Sequence, residues 1–250
     1  MTTAQETGVR RYETPGVYNL RDTGGYTAGA GSSRWGRLFR SDALHLLNND
    51  GRALLRDLRI AHIVDLRGST ELDTAPSNVD GLDLTVHHLP VFDEAGPTAQ
   101  LDLSIGLAPI YDHMVNERGA NLAAAIRVIA EAADGEAVLV HCTAGKDRTG
   151  LVIAFALTAA GVDRDEVVAD YAQTADNLRG EWASAMLAQH GAGDAELPPE
   201  VTELITASPA PVLAALLERI DREHGSMRDY LLAQGLTTAE LERLTAFLIG

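Results

Sequence analysis

Apolar residues recur along this chain with two spacings, and together these spacings predict a mixed α/β fold. Apolar runs of strand length fall at four places: 38–40, 61–66, 82–92 and 137–141. Helical spacing or helix-length apolar runs fall at three: 50–58, 120–133 and 151–157. Because the strands alternate with helices, the pattern favours one central, mostly parallel sheet flanked by helices.

The same pattern divides a single predicted domain, 1–250, into three parts. Residues 1–40 are rich in glycine and turn residues, which predicts loops and hairpins. Residues 41–160 form the predicted α/β core, and 161–250 form a helical part. Helices are predicted there at 165–177, 181–189, 212–224, 227–233 and 240–249. Thr237 and Glu240 have the spacing of a capping box for the last of them.

Composition narrows the location and the partners. The formal net charge of −16 repels nucleic acid and acidic membrane surfaces. No apolar run has transmembrane length, so stable membrane insertion is not expected. One cysteine excludes an intramolecular disulfide framework, and residues 1–6 lack the pattern of a signal peptide. We therefore expect a cytoplasmic protein, although export without a cleaved signal would leave no trace in the sequence.

The chemistry is concentrated in residues 141–150, His-Cys-Thr-Ala-Gly-Lys-Asp-Arg-Thr-Gly, which we call the phosphate loop. The loop follows a predicted buried strand and precedes a predicted buried helix. In that order, backbone N–H groups and the positive end of the helix dipole create a site for an anion. The same field favours a thiolate at Cys142.

Cys142 and Arg148 are spaced to surround a phosphoryl group. A cysteine at a helix N-terminus beside cations is a competent nucleophile, and a planar guanidinium can hold two phosphoryl oxygens. Thr149 is placed to donate a hydrogen bond to the cysteine sulfur. Gly145 and Gly150 permit close approach of the backbone. This pattern predicts a phosphatase that works through a phosphocysteine.

Other anion-binding and thiol chemistries fit less well. A nucleotide-binding Walker loop requires Ser or Thr where Asp147 stands and glycine where Val140 stands. A dithiol redox enzyme needs a second cysteine. A sulfur carrier of the rhodanese type and a phosphate-binding module without turnover remain as alternatives from other classes. A phosphatase of a small phosphorylated metabolite remains as an alternative within the same chemistry.

Several segments resemble the protein tyrosine phosphatase superfamily and, within it, the atypical bacterial tyrosine and lipid phosphatases. They are the phosphate loop, 18–26, 39–42, 64–67 and 163–171, and the likeness extends over nearly the whole chain. The resemblance implies a phosphatase fold, no cofactor, and substrates among phosphorylated proteins, phosphoinositides or small phosphorylated molecules. It implies a two-step reaction with Cys142 and Arg148 as catalytic residues.

The resemblance also implies Asp147, inside the loop, as the general acid, whereas Asp93 after a predicted strand is the alternative acid. The expected phosphate-binding residues are Thr143, Ala144, Gly145, Lys146 and Thr149. Lys146 either pairs with a second anionic group of the substrate or steadies Asp147. The expected supporting residues are His141, Asp65, Arg67, Arg40 and Asn19, which either brace the loop or form structural salt bridges.

Two further expectations concern absent features. His45, His62, His87 and His88 lack the spacing of metal ligands, so we predict no metal. Relative to the family, residues 91–119 are short at the place where a helical lid would be encoded. We therefore expect no gating by a large lid there.

Overall fold

A computed structural model describes residues 8–92, 106–190 and 197–250 of the chain. The short N-terminal strands are β1 (Arg21–Asp22), β2 (Thr27–Ala28) and β3 (Gly31–Ser32). The remaining strands are β4 (Leu38–Ser41), β5 (Ile60–Asp65), β6 (Thr85–His88) and β7 (Ala137–His141). Five of these strands form one sheet in the order β1-β4-β7-β5-β6, and β2 pairs with β3.

The central sheet is parallel except at one edge, where β1 runs antiparallel to β4. Strand β7 lies in the middle, and its last residue, His141, is in register with Ser41 of β4 and Asp65 of β5. Parallel strands bring their carboxyl ends to the same edge of a sheet. The phosphate loop therefore leaves the central strand between the ends of both neighbours.

Helices account for most of the rest of the described chain. The helices before the phosphate loop are α1 (Asn49–Asp57), α2 (Ser69–Thr74), α3 (Leu107–Glu117) and α4 (Gly119–Glu131). The next four are α5 (Asp147–Ala160), α6 (Arg164–Asn177), α7 (Glu181–His190) and α8 (Pro199–Thr206). The last three are α9 (Ala210–His224), α10 (Met227–Ala233) and α11 (Thr238–Leu248).

Alternating residues of the central strands feed two hydrophobic clusters on opposite faces of the sheet. Val138 and Val140 of β7 join the larger cluster with α4 and α5, whereas Leu139 joins a smaller one with Leu55 of α1. Two buried faces explain why β7 is a continuous apolar run rather than an alternating one. Helix α5 is buried almost all round, which fixes the start of the helix beneath the loop.

The structure confirms the predicted α/β class with a mostly parallel sheet and a helical C-terminal part. The strand predicted at 82–92 is shorter, at Thr85–His88. Three helices were not predicted: α2, α3 and α8. Helix α3 begins without a side-chain cap at Gly106, so its start signal is weak. None of the helices in the described part of the chain is both long and apolar enough to span a bilayer.

Candidate active site

A cavity of about 470 Å³ opens at the carboxyl edge of the sheet, and the phosphate loop forms its floor. Cys142 lies there and is 2% exposed. Asp147 and Arg148, at the start of α5, line the same space. The loop, the helix N-terminus and the cavity therefore meet at one point, as an anion-binding site requires.

Three successive carbonyl groups of the loop are held on its outer side. The backbone N–H of Ala43 donates to the carbonyl of Thr143 at 3.0 Å. The Asn19 side-chain amide donates to the carbonyls of Ala144, at 3.2 Å, and Gly145, at 3.1 Å. Arg40 Nη2 also donates to the Gly145 carbonyl at 2.7 Å. Segments far apart in the sequence thus hold the loop by the carbonyl groups on its outer side.

Because a peptide is planar and trans, its N–H points opposite to its carbonyl. Anchoring the three carbonyls therefore turns the N–H groups of Ala144, Gly145 and Lys146 to the inner side of the loop. In the described ranges, none of these three N–H groups donates to a protein acceptor. The anchors create an inward set of donors suited to phosphoryl oxygens.

Gly145 is required by this geometry. Its φ is +65°, and an added Cβ would lie 2.2 Å from the carbonyl oxygen of Ser41. A side chain there would force the loop away from the end of β4. Close packing at position 145 is thus what lets Arg40 reach the loop carbonyl.

The guanidinium of Arg148 is oriented by Glu71, a residue of α2. Arg148 Nη1 lies 2.6 Å from Glu71 Oε2, and Nη2 lies 2.9 Å from Oε1. Glu71 also accepts hydrogen bonds from the Thr143 hydroxyl and from the Gly68 amide. Two parallel bonds fix the plane of the guanidinium. Arg148 Nε has no protein acceptor among the described residues, so the N–H on that edge of the guanidinium is available to a phosphoryl oxygen.

The pair remains ionised over any working pH. Burial alone would raise the pKa of Glu71, but Arg148, the Thr143 hydroxyl and the Gly68 amide lower it to about 2. Burial opposes the charge of Arg148, yet the charges of Cys142, Glu71 and Asp147 raise the pKa of the guanidinium. Arg148 is therefore held as a fixed cation beside the thiol.

Asp147 and Lys146 are adjacent in sequence, but their side chains have different surroundings. Asp147 is 21% exposed, lines the cavity, and accepts a hydrogen bond from Tyr111 at 2.7 Å. Lys146 Nζ donates to two carbonyls at the end of α8, Leu204 at 2.5 Å and Ala207 at 2.8 Å, and lies 3.5 Å from Asp147 Oδ1. The buried ammonium therefore caps α8 and neighbours Asp147, which favours the steadying role over a second anion site.

Thr149 differs from its expected arrangement. Its hydroxyl is buried without a hydrogen-bond partner among the described residues, so the expected bond to the Cys142 sulfur is not formed in this structure. A buried hydroxyl that lacks a partner is costly, which favours formation of a bond when the sulfur carries charge. Thr149 thus remains a candidate donor to the departing thiolate.

A buried ion cluster centred on Asp170 supports Arg40. The Asp170 carboxylate accepts hydrogen bonds from Arg21 Nε at 2.9 Å, Arg40 Nη1 at 2.6 Å and the Tyr26 hydroxyl at 2.9 Å. Burial, followed by the neighbouring Arg40, lowers the pKa of Arg21 to about 10, whereas the Asp170 carboxylate raises it and so stabilises the charge of Arg21. Helix α6 thereby holds the arginine that holds the loop.

Asp65 and Arg67 form a buried ion pair, and Asp65 also lies beside His141, the first residue of the phosphate loop. Arg67 Nη2 lies 2.6 Å from Asp65 Oδ2, and Arg67 also donates to the carbonyl of Ala75. His141 Nε2 lies 3.5 Å from Asp65, and burial lowers the pKa of His141 more than Asp65 raises it. The salt-bridge alternative thus describes this pair, although Arg67 lines the cavity.

Asp93, the alternative acid, lies outside the described residues, as does the rest of 93–105 within the stretch considered for a lid at 91–119. The apolar wall of the cavity is formed by helices α3, α7 and α8. Leu107 and Ile110 of α3, Trp182 of α7, and Val201 and Leu204 of α8 line it with apolar surface. Helices α7 and α8 thus cover one side of the site. The expectation that residues 91–119 encode no large lid stays a prediction.

Sequence reasoning did not find Glu71, Tyr111 or a role for Asp170. Glu71 stands three residues after Gly68 and closes a capping contact at the start of α2, which is a local signal for a helix. No local signal links Glu71 to an arginine 77 positions later. Tyr111 and Asp170 likewise act through partners on other helices or strands.

Comparison with known proteins identifies the family of this chain. The model of the tyrosine phosphatase family matches residues 12–250. Triple specificity protein phosphatase PtpB of Mycobacterium tuberculosis is 36% identical over 280 residues, covering 95% of this chain and 99% of its own length. A tyrosine-protein phosphatase of Nostoc commune is 38% identical over 122 residues, covering 46% of this chain and 40% of its own length.

Among solved structures, TpbA of P. aeruginosa in complex with pTyr matches with a TM-score of 0.40 and 18% identity, covering 75% of this chain and 99% of that chain. The family match covers nearly the full sequence, and the site residues lie within it. The chain belongs to the tyrosine phosphatase family, whose members are phosphoric monoester hydrolases.

Proposed function

We propose that this protein hydrolyses phosphomonoesters without a metal, through a phosphocysteine at Cys142. The observation that carries the proposal is the loop itself, with its carbonyls anchored outward and Arg148 fixed beside the thiol. Phosphorylated molecules are the substrates expected of the family. No cofactor takes part in the proposed reaction.

In the first step, the Cys142 thiolate attacks phosphorus in line with the ester oxygen. Inward N–H groups of the loop and the free edge of Arg148 bind the equatorial oxygens and match their charge in the transition state. Asp147 protonates the ester oxygen as its bond to phosphorus breaks. The alcohol or phenol leaves, and the phosphoryl group remains on sulfur.

In the second step, water attacks the phosphocysteine. Asp147, now a carboxylate, takes a proton from that water as the new P–O bond forms. The sulfur leaves as a thiolate, and the Thr149 hydroxyl, which has no partner among the described residues, donates to it. Inorganic phosphate departs, and both groups return to their starting forms.

Replacing Asp147 with asparagine tests the acid assignment. The variant should lose about 10²–10⁴-fold in kcat/KM for alkyl phosphates, because an alkoxide leaves poorly without a proton. The loss for p-nitrophenyl phosphate should be much smaller, since that phenolate needs little help. Equal losses for both esters would exclude Asp147 and favour Asp93, whose Asp93→Asn variant should then show the unequal pattern.

The apolar lining of the cavity favours phosphate esters of aromatic groups or lipids over small phosphorylated metabolites. Leu107, Ile110 and Trp182 give it an apolar wall beside the thiol, where a phenyl ring or acyl group loses contact with water. The name triple specificity, borne by the mycobacterial relative, supports activity on more than one kind of ester. Matched phosphotyrosine and phosphoserine peptides, a soluble phosphoinositide and sugar phosphates separate these substrates, including the metabolite alternative.

The single thiol nucleophile supports a cytoplasmic location, since cytosolic reductants keep thiols reduced. Fractionation of cells that express the tagged protein tests it: the location is supported if the protein co-fractionates with a cytosolic marker, and is wrong if it is recovered outside the cell.

Acid quenching during turnover of a ³²P-labelled aryl phosphate, in EDTA, tests the mechanism. We expect label on the peptide that contains Cys142, and an unchanged rate when chelator is added. A phosphate-binding module would retain phosphate without turnover, and a sulfur carrier would form a persulfide and no labelled peptide. Either result would overturn the proposal.

A further inference from the structure

Two buried tyrosines connect the Asp147 carboxylate to helices outside the phosphate loop. The Tyr111 hydroxyl, on α3, lies 2.7 Å from Asp147 Oδ1 and 2.6 Å from the hydroxyl of Tyr171, on α6. The two rings meet edge to face, with centroids 6.2 Å apart, and both tyrosines are fully buried. The mechanism as described so far does not use them.

The direction of the hydrogen bonds follows from proton count. A phenol has one hydrogen, and an ionised carboxylate only accepts. Tyr111 therefore donates to Asp147, and Tyr171 must donate to the Tyr111 oxygen. Burial, followed by the nearby Asp147 charge, raises the pKa of both phenols, so both remain donors at any working pH.

The two carboxylate oxygens of Asp147 consequently differ. Oδ1 accepts from Tyr111 and lies 3.5 Å from Lys146 Nζ. Oδ2 has no hydrogen-bond partner in the ranges that the structure describes, and the side chain borders the cavity that contains Cys142. Of the two oxygens, Oδ2 is the one free to carry a proton to the ester oxygen.

We propose that Tyr111, supported by Tyr171, is a positioning residue that holds Asp147 by Oδ1 and reserves Oδ2 for proton transfer. The inference rests on the proposed function, in which Asp147 is the acid. In the first step the Oδ2–H bond breaks, the proton goes to the ester oxygen that leaves phosphorus with its bonding pair, and Asp147 becomes a carboxylate. In the second step Oδ2 takes the proton of the attacking water.

Replacing either tyrosine by phenylalanine removes a donor from this chain of hydrogen bonds and adds or removes no charge. The charged groups that face Asp147 are Lys146 and Arg148, and Arg40 lies near Tyr171. These cations are the same in a tyrosine variant and in the wild type. A difference in pH profile between the two therefore reports the lost phenol.

Tyr111→Phe, Tyr171→Phe and Tyr230→Phe provide the test, with Asp147→Asn as reference. Tyr230 is a buried tyrosine that donates to the carbonyl of Val115, so its variant loses a comparable buried hydrogen bond away from Asp147. The measurements are kcat/KM against pH and against the leaving-group pKa of aryl and alkyl phosphates. Thermal unfolding verifies that each variant is folded.

We expect Tyr111→Phe to lower kcat/KM about tenfold for alkyl phosphates and less than about twofold for p-nitrophenyl phosphate. Its pH profile should differ from that of the wild type, because Asp147 Oδ1 has lost its donor. Tyr171→Phe should show the same change to a smaller extent. Tyr230→Phe should move neither quantity.

The two hypotheses fail in different ways. If the wild type forms labelled phosphocysteine but Tyr111→Phe and Tyr230→Phe have the same pH profile and leaving-group dependence, only the positioning role is overturned. A larger shift for Tyr171→Phe than for Tyr111→Phe would also overturn it, since it reverses the order of the donors. If the wild type forms no phosphocysteine, the proposed function fails as well.

Discussion

Replacing Cys142 with serine is expected to lower kcat for p-nitrophenyl phosphate by at least about 10⁴-fold. The proposed nucleophile is a thiolate, and a serine hydroxyl is a far weaker nucleophile because it stays protonated. Serine is close to cysteine in size, so the fold and the donors around the phosphoryl group should persist. Loss of the nucleophile is therefore separated from loss of the site.

The control for this variant is binding rather than turnover. Calorimetric titration with inorganic phosphate should give similar affinities for wild type and Cys142→Ser, because the anchored amides and Arg148 are unchanged. Turnover by Cys142→Ser above about one hundredth of the wild-type rate would show that another group or bound water attacks phosphorus. The cysteine mechanism would then be wrong.

Replacing Asp170 with asparagine is expected to destabilise the protein by about 3–5 kcal/mol, which corresponds to a fall in Tm of about 10 °C. The variant leaves Arg21 and Arg40 buried side by side without a counter-charge. Arg40 also holds the carbonyl of Gly145, so kcat/KM should fall even at temperatures where the variant is folded. Differential scanning calorimetry and aryl phosphate kinetics measure the two effects.

Asp176→Asn on the same helix is the matched control. Asp176 forms an exposed pair with Arg179, and such pairs contribute little, so the change in unfolding free energy should stay within about 0.5 kcal/mol.

The stability that Asp170 provides should also depend on pH. Burial alone would raise the pKa of Asp170, but Arg21 and Arg40 lower it below its ordinary value. Its stabilisation is therefore present above about pH 4 and lost as pH falls. The wild type and Asp170→Asn should converge in stability below that pH; equal stability of the two at pH 7 would contradict the role of the cluster.

Residues 141–150 were readable from sequence because their function is local. A strand, a loop and a helix succeed one another without interruption, so the spacing of Cys142 and Arg148 is also their arrangement in space. Lys146 shows the limit of that reasoning. Nothing around position 146 indicates that its ammonium binds the end of a helix about 60 residues later.

The supporting residues were less readable because their partners are distant. Glu71 and Tyr111 contact the loop from α2 and α3, and Asp170 acts on it from α6 through Arg40. All of these contacts depend on how the helices pack. The family resemblance identified the segments that contain Asn19 and Arg40. It did not identify the loop carbonyls to which these side chains donate. Helices α3 and α8 were missed because they are short or begin with weak caps, so packing rather than local preference defines them.

The link between Lys146 and α8 uses backbone acceptors, the carbonyls of Leu204 and Ala207. Side chains on the same helix, among them Val201 and Leu204, shape the cavity wall. Mutations that recontour this wall therefore leave the attachment of the helix to the loop intact. Substrate preference can diverge, or be engineered, on α8 while the catalytic apparatus is inherited unchanged.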